Sequence, residues 1–128
     1  MANRTFHPVQ SLDREVKLLF GYVLFGASGA VTSVDALGFT VTKVAATTGR
    51  YTITLSDKYS SLLGIHFALY NAGTAKGEQW EVRTLLTGGN TITVEHVNDA
   101  GAAADVASGD GTFFTLVLRN TAVARKGL

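Results

Sequence analysis

Apolar and polar positions alternate with a period of two over much of this chain, most cleanly between Gly49 and Tyr59, where Tyr51, Ile53 and Leu55 fall on one side and Thr52 and Thr54 on the other. That period is the signature of a β-strand with one face turned to a core, and β-branched threonine suits the exposed side of a pleated surface. The same alternation predicts strands over 39–42, 50–55, 62–70, 79–84, 91–97 and 113–119. Within 62–70, Ile65, Phe67 and Leu69 share one side, and His66, Ala68 and Tyr70 share the other. Residues 16–25 are apolar on both sides, with Val16, Leu18, Phe20, Tyr22 and Leu24 set against Leu19 and Val23, which predicts a strand covered on both faces. The spacing of Leu12, Val16, Leu19 and Phe20 also fits a helix, so this segment keeps two alternatives.

Turn chemistry divides the strands. Thr47-Thr48-Gly49 predicts one hairpin and Thr87-Gly88-Gly89-Asn90 a second. Ser56 to Ser61 reads as a turn, and Gly26 to Ala30 with Ser33 to Gly38 as a small-residue loop. Residues 98–111, rich in Ala, Gly and Asp, are about as long as a loop in a compact domain becomes. Residues 1–15 hold the only proline and no firm period, which predicts an extended N-terminal arm, with a short helix from about Ser11 as the alternative. The expected organisation is an arm (1–15), a β-domain (16–120) and a small-residue tail (121–128). The expected fold class is all-β: an antiparallel β-sandwich or jelly-roll-like barrel of about seven strands.

Composition narrows the function classes. A chain of 128 residues is the size of one domain and can bury roughly two-thirds of its unfolded surface without staples. It has no cysteine, which excludes disulfides and thiolate metal sites. Eleven Lys and Arg against ten Asp and Glu leave a net charge of +1 with no long run of either sign, so a nucleic-acid footprint is not expected. The most apolar run, Leu18 to Phe25, is far shorter than the ~20 residues of a membrane-spanning helix, and the first fifteen residues lack a signal-peptide layout. The charged fraction is 16%, against roughly 25% in ordinary soluble domains. Either some surface is covered by a partner, or the abundant Ala and Gly raise the mean hydropathy without making a patch.

No reaction is announced by the candidate chemistry. His7, His66 and His96 lie in different settings and none has a second histidine at metal spacing; packed or hydrogen-bonded roles are expected for His66 and His96. Gly26-Ala27-Ser28-Gly29 lacks the nucleophile-elbow pattern and also the ending of a phosphate cradle. Asp99, Asp105 and Asp110 could share a calcium ion, but their spacing fits neither an EF-hand nor a nonapeptide repeat, so no metal and no cofactor is expected. Lys43, Glu81, Arg83 and Glu95 are expected to pair across strands. Trp80, Tyr22, Tyr59 and Tyr70 could line a sugar platform, although Trp80 is better placed as a core plug beside Val82 with its ring nitrogen seeking an acceptor.

The segments Gly38-Phe39-Thr40-Val41-Thr42-Lys43 and Thr48-Gly49-Arg50-Tyr51-Thr52-Ile53-Thr54-Leu55-Ser56-Asp57-Lys58-Tyr59-Ser60-Ser61-Leu62-Leu63, with the closing strand Phe113 to Asn120, resemble small virion structural proteins of tailed bacteriophages over about residues 16–120. The glycine-aromatic-strand-Asp-x-Tyr cadence carries the likeness. The resemblance implies a head decoration, or cement, protein: a non-enzymatic homo-oligomer, most often a trimer, made in the host cytoplasm. It would bind the major capsid protein on the outer surface of the virion and stabilise the mature shell. On that expectation Arg4, Phe6 and His7 of the arm anchor the capsid contact, and the apolar sheet faces and the loop carrying Asp99, Asp105 and Asp110 form the oligomer contact. The alternatives are a tail-associated or fibre module, or a carbohydrate-binding β-sandwich, in contact with the host surface.

Overall fold

A computed structural model describes residues 16–73, 76–84 and 86–119 of the chain. The expected arm, with Arg4, Phe6 and His7, and the tail lie outside the described residues. Seven strands follow in order: β1 (Val16–Phe25), β2 (Val31–Ala36), β3 (Phe39–Lys43), β4 (Arg50–Tyr70), β5 (Gln79–Val82), β6 (Thr87–Val97) and β7 (Gly111–Arg119). Every ladder is antiparallel. The all-β class expected from the alternation is what the chain adopts, and among the described residues the one helical element is a single 3₁₀ turn, Ala27–Gly29.

β4 organises the molecule. Its first part, Arg50 to Leu55, pairs with β3 on one edge, and Arg50 to Thr54 pairs with β6 on the other. Its last part, Ser61 to Tyr70, pairs with β7, which pairs with β1, which pairs with β2. The ladder to β6 shifts register between Thr54 and Tyr59, and the ladder to β7 shifts between Leu62 and Gly64. One continuous sheet is thus folded on itself into two layers. The first layer is β2-β1-β7 with the end of β4; the second is β3, the start of β4, β6 and β5.

Side chains meeting between the layers make the core. Trp80 on β5 packs on Phe114 of β7 and stacks on Phe67 of β4, with ring centroids 5.6 and 5.7 Å apart. Phe25 meets Tyr51, and Phe39 meets Phe114, both edge to face. Ile53, Ile92, Val94, Leu116 and Leu118 are fully buried around them. The Trp80 ring nitrogen donates to the Thr112 hydroxyl at 3.2 Å, as its core role requires. Gly21 lets Phe39 seat against β1, since a Cβ there would lie 2.5 Å from the Phe39 ring and from Ala36.

Three local expectations are corrected. Residues 33–38 are mostly strand: among the described residues β2 pairs with β1 alone, and an edge strand can form from Val31 and Val34 among small polar residues without strict alternation. Ser56 to Ser61 does not reverse the chain; Ser56, Asp57 and Lys58 are exposed where β4 passes from one layer to the other. Its turn-forming residues mark a bend. Thr87 to Asn90 belong to β6, and the reversal comes before them, where the Arg83 and Thr84 amides donate to the Thr93 carbonyl. The Gly49 hairpin stands as expected, with φ +73° and no room for a Cβ, which would lie 2.8 Å from the His96 carbonyl.

Candidate functional site

The ladder registers sort the side chains of the first layer into an inner and an outer set. Leu19, Val23, Phe114, Leu116 and Leu118 point into the core. Leu18 lies opposite Val117, Phe20 opposite Thr115 and Tyr22 opposite Phe113, all on the outer side. On β4 the residues paired with that outer set are Gly64, His66 and Ala68. The two-sided apolar pattern of residues 16–25 is therefore a strand whose second side the other described residues leave open.

The exposure is large. Phe20 is 61% exposed, Phe113 49%, Tyr70 46%, Leu18 42% and Leu63 41%. Tyr22 and Phe113 lie against each other with centroids 4.5 Å apart. The β1–β7 ladder holds nine pairs, from Val16 to Leu24. At ~3.4 Å per residue and ~4.8 Å per strand, four strands give an area of about 30 by 19 Å, or ~570 Å² in projection. That is the whole outer side of the layer, which Ser33, Asp35, His66 and Thr115 share, and within it Leu18, Phe20, Tyr22 and Phe113 form a contiguous apolar stripe of the kind that marks interaction sites.

Phe20 stands as a ridge between two open depressions. One, of ≈ 390 Å³, is lined by Leu18, Leu19, Phe20, Asp35, Ala36 and Leu37. The other, of ≈ 290 Å³, is lined by Phe20, Gly21, Tyr22, Asp35, Phe113, Phe114 and Thr115. Their linings hold one ionisable side chain besides the Tyr22 phenol, the Asp35 carboxylate. A surface with so few polar groups can bind by apolar burial but has little to orient a polar substrate.

The loop aspartates take other places. Asp105 accepts from the Gly49 amide at 2.7 Å and pairs with Lys43 at 3.1 Å, tying the long loop to the β3–β4 hairpin. Asp110 is buried, accepts from the Ala72 amide at 3.0 Å and meets Lys76 at 2.6 Å. Burial alone would raise both carboxyls, but these hydrogen bonds and lysines outweigh it and hold both below the ordinary carboxylate value. Asp99 is exposed near the loop tip, beside Gly77. Among the described residues no three carboxylate or histidine groups converge as metal ligands. The three aspartates expected at an interface are thus spread over two internal ties and one surface position.

His96 is fully buried against Trp80, with Nδ1 2.7 Å from the Ala104 carbonyl and Nε2 3.3 Å from the Glu78 carboxylate. His66, expected to be packed or hydrogen-bonded, is exposed on the outer face of the first layer. Tyr51 donates to the Gly29 carbonyl at 2.8 Å, and burial pushes its phenol up to about 12. The four aromatics of the sugar-platform idea separate: Trp80 and Tyr59 are buried, while Tyr22 and Tyr70 face outward with Phe20 and Phe113. Sequence reasoning did not single out Phe20, Phe113 or Leu63. The available signal was the apolar outer side of 16–25, matched by Phe113 and Val117 on the last strand.

Family models, curated proteins and solved structures were all compared with the chain, and none matches it.

Proposed function

We propose that this chain is a non-enzymatic structural protein of a phage virion, a decoration subunit that acts as a homo-oligomer on the outside of the capsid. The observation that carries the reading is the apolar face around Phe20 and Phe113, which no other described residue covers. Burying apolar surface contributes roughly 25 cal/mol per Å², so a face of this size leaves a large driving force unused in a solitary chain. The phage assignment itself draws on the likeness of the 38–63 segment and the closing strand.

On this reading the protein binds the major capsid protein of the expanded shell and not its precursor, and stabilises the shell by mass action. Repetition over a symmetric lattice turns weak contacts into strong attachment. The arm residues Arg4, Phe6 and His7 are the proposed anchors on the shell. The test is co-sedimentation with purified heads of the phage that encodes the chain. Stoichiometric pelleting with mature heads, and none with unexpanded precursors, is the expected result. Absence from both, with binding to host glycans, would transfer the protein to the host-contact alternative, for which the outward rings of Tyr22, Tyr70, Phe20 and Phe113 would be the stacking surface.

A further inference from the structure

We infer that the occupant of the apolar face is the same face of a second copy of this chain, the two outer sheets packing against each other about a twofold axis with Phe20 as the anchor. This rests on the reading of that face as an assembly surface and names its partner. Three observations favour a second copy over an unrelated partner.

The first is shape. A twofold contact must be self-complementary, each patch offering both what it inserts and what it receives. Phe20, 61% exposed, borders both of two shallow, open depressions on its own face. Knob and hole therefore lie side by side on one surface. The second is charge. A face that meets its own copy brings every charge against its duplicate, and like charges brought together oppose pairing. Among the described residues the ionisable groups on this side are Asp35 toward the β2 edge, Arg119 at the Val16 end and His66 beside Thr115, while Leu18, Phe20, Tyr22, Phe113 and Val117 carry no charge. The third is area. A projected ~570 Å², raised further by the relief of its side chains, approaches the ~800 Å² per partner of a standard stable interface. Two sheets packed face to face about 10 Å apart are also the arrangement by which β-layers bury such surfaces.

The test is the solution mass with two matched variants. Wild-type protein is expected at twice its 13.5 kDa chain mass by light scattering. Phe20→Asp should weaken the dimer at least ~30-fold, as a central aromatic anchor does, while circular dichroism stays that of a β-protein. Thr42→Asp, on the outer face of the second layer, should leave the mass unchanged. Should Phe20→Asp fail to fold, Phe20→Ala with a labelling assay replaces it. The chain lacks cysteine, so Thr115→Cys supplies a unique thiol opposite Phe20. That thiol should react with maleimide slowly in the dimer and rapidly when the Phe20→Ala change is added.

A dimer that Phe20→Asp leaves intact, or a Thr115→Cys thiol that labels at the same rate in both backgrounds, overturns the pairing. A wild-type trimer, or a monomer that still pellets with mature heads, overturns the twofold contact and leaves the virion reading standing. A monomer that binds no heads overturns both.

Discussion

The two outer faces of this sandwich are written in different alphabets on strands of the same chain. On the second layer, Thr42, Thr52 and Thr93 stand side by side across β3, β4 and β6, and Thr40, Thr54 and Thr91 form the next row. Beyond them Arg50 and Arg83 bridge Glu95, and Arg83 also reaches Glu81. Threonine pairs across strands satisfy a pleated surface while leaving hydroxyls for water. The first layer places Leu18, Phe20, Tyr22, Phe113 and Val117 at the equivalent outward positions. Low overall charge and abundant Ala and Gly do not account for that contrast. The chain builds a solvated sheet face where one is needed, so the apolar face is a selective feature of one layer.

The sharpest way to break the comparison is on β7, where inner and outer positions are neighbours. Phe114 is fully buried against Phe39, Phe67 and Trp80, and Phe113 is half exposed beside Tyr22. Phe114→Ala should cost about 3–5 kcal/mol of folding stability through lost burial and a cavity. Phe113→Ala should cost less than ~1 kcal/mol in the isolated chain and act on association instead. Urea unfolding at a concentration below the dimer dissociation constant separates the two. Equal losses would mean that Phe113 belongs to the folding core and that the outer face is no separate surface.

Strand alternation made most of this legible. The inward set Tyr51, Ile53, Leu55, Ile65, Phe67 and Leu69 could be read from period two alone, because burial on one face imposes it. The hairpin at Gly49 and the core position of Trp80 were legible for similar local reasons. The continuity of β4 was not, since Ser56, Asp57 and Lys58 look alike whether a chain reverses or crosses between layers. The roles of Asp105 and Asp110 were hidden because their partners Gly49, Lys43, Ala72 and Lys76 are distant in sequence. The apolar outer side of β1 was visible, but a sequence cannot say whether the cover comes from the same chain.

The next effect concerns the ties that close one end of both layers. Asp105 and Asp110 have folded-state values below the ordinary ones, so each contributes stability that is present above the unfolded carboxylate pKa of about 4 and is lost as pH falls through the folded value. Asp110→Asn retains an acceptor for the Ala72 amide but removes the charge facing Lys76, and should cost about 1–3 kcal/mol at neutral pH. The fall in urea midpoint between pH 7 and pH 3 should be smaller in Asp110→Asn than in wild type. An unchanged fall would assign the acid sensitivity to other carboxylates.

The smallest expected effect falls on the threonine face. Thr42 is exposed and lies opposite Thr52 on β4. Replacing it with aspartate exchanges a good strand former for a poor one, worth at most ~1 kcal/mol on an open surface. Aspartate keeps full access to water there, so its charge carries no desolvation cost, whereas at Phe20 the same side chain would be enclosed by a second sheet. The two substitutions thus introduce identical chemistry on opposite sides of one sandwich, and their difference measures what covers each side. A Thr42→Asp variant that loses mass in light scattering while Phe20→Asp does not would reverse the assignment of the two faces.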